Sequence, residues 1–129
     1  MPHYMLLIHT PSAGLSPEEG RAELPKWLAY TEALLDAGVF VAGDALERAA
    51  TATTVRLEDG ERIVSDGPFA DTKETLAGYY VVDVPDLDTA LDWAVRAPSA
   101  ARGPVEVRRV MVFDQQPDTA AATGSPAAA

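Results

Sequence analysis

The chain has 129 residues, which is enough for one domain with a hydrophobic core but not for two. Its 20 acidic residues against 10 basic ones give a formal net charge of −10. That balance argues against nucleic-acid binding, which relies on Lys and Arg to neutralise phosphates. The absence of cysteine excludes disulfides, thiolate metal sites and thiol nucleophiles.

In the first third of the chain, residues 4–9 form a short apolar run that is typical of a buried strand. A helix is predicted to begin at Ser16, with Pro17 at its first position and a glutamate that completes a capping box, and to end at Gly38. Pro25 predicts a kink or a new start within this helix, because proline cannot donate to the preceding turn. Its inward-facing positions are predicted from helical spacing to be Leu24, Trp27, Leu28, Leu34 and Leu35.

The later elements are predicted as a strand over 39–43, a hairpin over 53–58 and 62–65, a strand over 78–84, a helix over 87–96 and a strand over 105–113. Asp59-Gly60 is a strong signal for the hairpin turn. Asp86 is expected to cap the second helix, whose inward residues are predicted to be Leu87, Leu91, Ala94 and Val95. We expect residues 1–114 to form the domain and residues 115–129 a flexible tail, because the tail has little apolar bulk.

This order of elements predicts an α+β, ferredoxin-like antiparallel sheet with two helices on one face and the hairpin as an insertion. A sheet that is covered on one face should alternate apolar and polar residues. The runs at residues 5–8, 79–82 and 110–113 do not alternate. They predict two apolar faces and therefore a homodimer that packs sheet against sheet, with a cavity near the seam.

The motif Asp66-Gly67-Pro68-Phe69, followed by Thr72-Lys73-Glu74 and Gly78-Tyr79-Tyr80, resembles the signature of the DGPF group of YCII-related proteins. The resemblance extends over about residues 3–113 and implies a dimeric α+β barrel. Some relatives in that superfamily are enzymes, among them a dehalogenase, and other YCII-related proteins carry a His–Asp pair. That pair aligns near Trp27 and Ala97, so this chain lacks it. DGPF proteins are often encoded beside extracytoplasmic-function sigma factors, so the resemblance suggests a regulatory role and, by family association alone, a sigma factor as a candidate partner.

Four residues are candidate ligand-binding groups: Asp66, Lys73, Glu74 and Trp27. Asp66 belongs either to a simple tight turn, with Phe69 anchored in the core, or to a cavity wall that presents a carboxylate and backbone amides. Lys73 and Glu74 form either surface ion pairs, with each other or with the partner subunit, or a charged site at a cavity mouth. In such a site a buried Lys73 would hold an anionic ligand, or act as a base with a lowered pKa. Trp27 is either a core or interface residue or an aromatic wall for a ring-shaped substrate.

Three further residues are candidates for proton transfer: His9, Asp44 and Tyr79. His9 ends the first predicted strand, and Asp44 follows the second, so the two side chains form a candidate His–carboxylate pair. Tyr79 and Tyr80 must point to opposite faces of the sheet, one under the helices and one toward the cavity at the seam. Each of these residues also has a structural interpretation, as a strand-end or packing residue.

Two functions follow as hypotheses, and the sequence leaves open whether the protein is an enzyme. The first is a small-molecule-binding or regulatory homodimer, in which an anionic ligand occupies the cavity. The alternative is a small enzyme that applies general acid/base chemistry to an anionic or aromatic-derived metabolite; a purely structural role for the apolar seam is a third interpretation. No metal-ligand spacing and no cofactor motif is recognised, and the short apolar run at residues 5–8 is too short for a signal peptide or membrane span, so a cytoplasmic location is expected.

Overall fold

Two helices lie on one face of a four-stranded antiparallel sheet in the computed structural model, which describes residues 1–113. The predicted tail at residues 115–129 lies outside the described residues. In chain order the elements are β1 (His3–Pro11), α1 (Pro17–Asp36), β2 (Phe40–Ala45), β3 (Thr53–Glu58), β4 (Glu61–Asp66), β5 (Glu74–Asp83), α2 (Leu87–Val95) and β6 (Val105–Arg109), with a 3-10 turn at Ala49–Thr51.

The strand order of the sheet is β2-β5-β1-β6, and every neighbouring pair is antiparallel. In each β-α-β half the two strands are separated by a strand of the other half, which is the split arrangement of the ferredoxin-like fold. The α+β, ferredoxin-like fold predicted from the order of elements is therefore confirmed. The hairpin β3–β4 is a separate two-stranded sheet inserted between β2 and β5.

Helix α1 has the ends that its sequence predicts. Ser16 and Glu19 form a reciprocal capping box at the N-terminus. At the other end Gly38 adopts a φ of 73°, and Val39 N–H bonds to the Leu34 carbonyl, which is the Schellman arrangement that glycine favours. The helix runs through Pro25 without a new start, so that alternative of the prediction is wrong.

The core lies between the helices and one face of the sheet. Leu6 on β1, Leu34 on α1 and Val82 on β5 are almost completely inaccessible to solvent, and Tyr30 of α1 donates a hydrogen bond of 2.6 Å to the Trp93 carbonyl of α2. Several residues predicted to face inward are instead exposed, because the stripe of each helix that contacts the sheet is narrower than predicted. They are Leu24, Leu28 and Leu35 on α1 and Leu87, Leu91 and Val95 around α2.

Within residues 1–113 the opposite face of the sheet carries no helix, and we call it the helix-free face. Met5 and Leu7 of β1 and Val81 of β5 lie there, half-buried by their neighbours alone. Strand β6 ends at Arg109 rather than at residue 113 as predicted, because its partner β1 begins at His3 and offers no further ladder after the bond from Val110 N–H to the His3 carbonyl. The apolar residues that follow, at 111–113, are exposed.

The hairpin forms as the Asp59-Gly60 signal predicts. Both turn residues have positive φ, 50° and 79°, as the tight hairpin turn requires. On one face of the hairpin Val55 lies opposite Val64, beside Leu57, and all three side chains are exposed. This apolar face is a second surface that nothing within residues 1–113 covers. An isolated two-stranded hairpin is marginally stable in water, so the hairpin would gain stability from a partner on that face.

Candidate functional site

A cavity of about 510 Å³ lies between α1 and the strands β2 and β5; we call it the α1 cavity. Its lining includes Trp27 and Thr31 of α1, Phe40 and Gly43 of β2, and Tyr80 of β5. A glycine is required at position 43 because the Tyr80 ring lies close to the β2 backbone there: a Cβ at this position would lie 2.7 Å from the ring. The glycine therefore lets the tyrosine lie flat against β2 and form the floor of the cavity.

Aromatic rings form the main wall of the α1 cavity. The rings of Trp27 and Tyr80 are stacked, with centroids 6.2 Å apart and planes at 12°. Tyr30 and Phe40 meet the edge or face of Tyr80 at steep angles. The Tyr80 hydroxyl shares a hydrogen bond of 2.6 Å with Thr31 Oγ1. These contacts hold Tyr80 and Trp27 in one orientation and present an apolar surface with polar groups at its edge.

Glu23 and Arg102, two charged residues that line the α1 cavity, form an ion pair with each other. Glu23 of α1 accepts a hydrogen bond of 2.8 Å from Trp27 Nε1, one helical turn away, and forms an ion pair with Arg102 from the loop before β6. Burial by itself would raise the pKa of Glu23, but the hydrogen bonds from Arg102 and Trp27 outweigh it and leave that pKa below its usual value. The carboxylate thus fixes the Trp27 ring and neutralises Arg102 at once.

A second, wider concavity of about 1040 Å³ lies beside the Pro68–Glu74 segment, and we call it the motif groove. Pro68, Phe69, Lys73 and Glu74 line it, together with His9. The ion pair predicted between Lys73 and Glu74 is absent from residues 1–113, since no contact within 4.0 Å joins the two.

Phe69 does not take the place predicted for it, and Asp66 lies at the turn, which is one of the two places predicted for it. Phe69 is 78% exposed and is not an anchor in the core. Asp66 ends β4 opposite Thr53 and lines neither concavity. The turn itself is held by the backbone, because Gly67 has a φ of 93° and its N–H bonds to the Ala52 carbonyl at 2.7 Å. The turn interpretation of this motif accounts for its glycine.

His9 lies near a carboxylate, but the partner is Glu106 rather than Asp44. His9 Nε2 is 3.4 Å from Glu106 Oε1, and Arg108 Nε donates to the other oxygen of Glu106 at 2.6 Å. The hydrogen bond from Arg108, reinforced by His9, lowers the pKa of Glu106. Both His9 and Glu106 line the motif groove. The predicted pair with Asp44 is wrong because β5 lies between β1 and β2.

Asp44 instead accepts a hydrogen bond of 2.7 Å from the Tyr79 hydroxyl on the helix-free face. That bond to a carboxylate raises the pKa of Tyr79. Tyr79 and Tyr80 point to opposite faces of the sheet, as the alternation of strand side chains requires, and Tyr80 is the one under the helices. Tyr79 lines neither concavity, so the three residues predicted for proton transfer do not converge.

The family profile of the YCII-related domain matches residues 1–114. The chain belongs to the YCII-related family. A similar protein is an uncharacterized protein of Rhizobium meliloti (strain 1021), which is 47% identical over 64 residues. That match covers 48% of this chain and 52% of the relative, so the chain spans about half the length of the curated relative it matches.

In this YCII-related domain Trp27 lines the α1 cavity, and Ala97 is buried just after the end of α2. Neither side chain is ionisable, and the aromatic wall of the cavity includes Trp27.

Sequence reasoning missed four charged residues of this YCII-related domain: Glu23, Arg48, Arg102 and Glu106. The spacing of Glu23 and Trp27, four residues apart on a helix, was a usable local signal. The pair of Glu23 and Arg102 joins residues 79 positions apart, which no local pattern indicates. Within residues 1–113 no group of three potential metal ligands is found, and no helix is long and apolar enough to cross a membrane.

Proposed function

We propose that this YCII-related protein is a homodimer that binds a small molecule in the α1 cavity. The observation that carries the proposal is the aromatic wall of Trp27, Tyr80 and Phe40 around a concavity of about 510 Å³. Small-molecule sites are typically concave and mostly apolar, with a few fixed polar groups and volumes of about 300–1,000 Å³. The α1 cavity has all three properties.

The shape of the cavity favours a flat, unsaturated ligand. Stacked and edge-on rings offer planar surfaces on which a second ring packs well. The hydroxyls of Thr31 and Tyr80 stand at the edge of that surface and supply both a donor and an acceptor. An oxygen-bearing aromatic compound, or a product of its breakdown, fits this combination.

The helix-free face supports the homodimer in the same proposal. Its central side chains, Met5, Leu7 and Val81, are apolar and only half-buried in one subunit. An apolar patch rimmed by polar side chains, here Glu106 and Arg108 of β6 and Asp44 of β2, is typical of an interaction site. A second copy placed sheet against sheet would cover this patch. The Asp66-Gly67-Pro68-Phe69 motif supports a place in the DGPF group, and the resemblance to that group implies the same dimeric arrangement.

Intrinsic fluorescence provides a direct test of the cavity, because the protein has two tryptophans in different environments. Trp27 lines the α1 cavity, whereas Trp93 is 8% exposed within the core. A library of small aromatic acids and amides is first screened by thermal shift, since a ligand of the native state raises the melting temperature. Hits are then titrated against wild type, Trp27→Phe and Trp93→Phe.

A ligand in the α1 cavity should quench the emission of wild type and Trp93→Phe, and leave Trp27→Phe almost unchanged. Quenching that persists in Trp27→Phe would place the ligand elsewhere and contradict the proposed cavity. A library without any stabilising compound would also count against it.

A second candidate function, a small enzyme, is favoured by the contact between His9 and Glu106. A carboxylate beside an imidazole orients the ring for proton transfer, and both groups face the motif groove. Turnover of a metabolite mixture, followed by NMR, would test it with His9→Gln against His3→Gln. The matched control lies at the start of β1 near Asp83, away from both concavities. Equal turnover by the two variants, or none by wild type, would remove this candidate.

A further inference from the structure

The α1 cavity and the motif groove share a wall, which consists of residues 46–49 and 75–76. Arg48 lies in that wall, in the loop that follows β2. Its backbone is held by Thr51, whose N–H and hydroxyl both donate to the Arg48 carbonyl, at 2.9 and 2.7 Å. The backbone from which the Arg48 side chain extends is therefore held in an ordered turn.

The Arg48 side chain reaches from this wall to the loop that precedes α1. Its Nη2 donates a hydrogen bond of 2.8 Å to the Leu15 carbonyl. The guanidinium also lies against Gly14, where a Cβ would stand 3.6 Å from Nη2. Because Gly14 and Leu15 line the α1 cavity as well, the guanidinium connects two of its sides and is held at its margin.

Arg48 forms no ion pair within residues 1–113, in contrast to the other arginine of the cavity. Arg102 is paired with Glu23, whereas no carboxylate of residues 1–113, including the neighbouring Glu47, lies within 4.0 Å of the Arg48 guanidinium. A guanidinium has five N–H donors, and one contact to a carbonyl leaves a planar fork that matches a carboxylate. This free cation stands beside a cavity in a chain of formal charge −10.

We infer that Arg48 is the anion-recognition residue of the α1 cavity, and that the ligand is a flat aromatic molecule with one carboxylate. The inference rests on the proposed function for the aromatic part of the ligand, which packs on Trp27 and Tyr80. The carboxylate lies at the wall shared with the motif groove, where Arg48 binds it.

A matched pair of probes separates recognition of the carboxylate by Arg48 from binding of the aromatic ring in the cavity. 1-Naphthylacetate carries a carboxylate, and 1-naphthylacetamide has the same ring and nearly the same shape without the charge. Binding of each is measured by isothermal titration calorimetry at low salt, to wild type, Arg48→Gln, Arg102→Gln and Arg56→Gln. Arg56 lies on the hairpin and lines neither concavity, so it controls for the loss of one positive charge.

Wild type should bind the acetate about tenfold more tightly than the amide, since a charge-assisted contact is worth about one decade in affinity. Arg48→Gln should abolish this preference and leave the amide affinity unchanged, while Arg56→Gln retains the preference. Thermal melts of the variants check that each is folded.

Equal binding of both probes by wild type, or a preference that survives in Arg48→Gln and disappears in Arg102→Gln, would overturn the inference and leave the cavity function intact. Binding of the acetate alone, lost in Arg48→Gln but retained in Trp27→Ala, would establish Arg48 as an anion site and overturn the aromatic cavity. Binding of neither probe would overturn both.

Discussion

The two faces of the sheet are formed by the same strands but differ in how much of their apolar surface is buried. Leu6 and Val82 point toward the helices and are 1% and 0% exposed, whereas their neighbours Leu7 and Val81 point away and remain half-buried. An apolar run along a strand therefore does not say how much of it one chain can cover. The run indicates only how much apolar surface has to be covered by another element or another subunit. The two helices cover it on one face of the sheet only.

Tyrosine hydroxyls show the same contrast. On the helix-covered face Tyr30 is buried and donates to the Trp93 carbonyl, and burial raises its pKa. On the helix-free face Tyr79 donates to Asp44 in an exposed setting. A hydrogen bond contributes most to stability where its loss leaves a buried polar group without a partner and without water. The two bonds should therefore differ in their effect on the free energy of unfolding.

The largest expected effect comes from a core leucine compared with its neighbour. Leu34→Ala should reduce the free energy of unfolding by about 2–5 kcal/mol, because it leaves a cavity at a fully buried position. Leu35→Ala, the adjacent residue at 56% exposure, should change it by less than about 0.5 kcal/mol. Urea unfolding of both variants measures the difference. Similar losses would mean that α1 packs through a different face.

The helix-free face is tested by charge. Val81→Arg should convert a dimer into a monomer at micromolar concentration in analytical ultracentrifugation, since a desolvated and unpaired charge at an apolar seam is strongly unfavourable. The control is Leu28→Arg, because Leu28 is also apolar and exposed but lies on the outer side of α1. Dissociation by Leu28→Arg alone would move the interface to the helices, and a monomeric wild type would refute the homodimer.

A smaller difference is expected between the two tyrosines. Tyr30→Phe should lower the free energy of unfolding by about 1–2 kcal/mol, because the buried Trp93 carbonyl loses its added partner. Tyr79→Phe should change it by only about a few tenths of a kcal/mol, since water replaces the hydroxyl at Asp44. Both substitutions remove one oxygen atom, so thermal or urea melts compare them directly. A larger loss in Tyr79→Phe would show that the helix-free face is buried in the protein as it exists in solution.

The smallest effect concerns pH and the ion pair of the α1 cavity. The folded state lowers the pKa of Glu23 from its reference value of 4.5, so its contribution to stability is present above that value. The contribution is lost as the pH falls through the lower, folded-state pKa. The stability advantage of wild type over Glu23→Gln should therefore shrink below about pH 4.5, in urea titrations from about pH 7 to about pH 3. Glu18→Gln is the control, because Glu18 is exposed. A constant difference over this range would show that the charge of Glu23 is not what stabilises the fold.

Elements with strong local signals were predicted well. The capping box at Ser16, the Asp86 cap of α2 and the Asp59-Gly60 turn each depend on groups a few residues apart, and each is present. The candidate site was predicted less well. His9 has a carboxylate neighbour, but it comes from β6, and the Glu23–Arg102 pair joins α1 to a distant loop. Such pairs depend on which strands and loops become neighbours.

The amino-acid sequence by itself determined the ferredoxin-like order of strands and helices, because capping, turn geometry and apolar periodicity act over short stretches of chain. Only the tertiary structure decided which residues meet: Trp27 with Tyr80 in a cavity, His9 with Glu106 in a groove, and Asp44 with Tyr79 on the uncovered face. The physical reason is that side-chain contacts depend on strand order and register. A strand placed between two others, as β5 is between β1 and β2, separates groups whose positions along the chain had pointed to a contact.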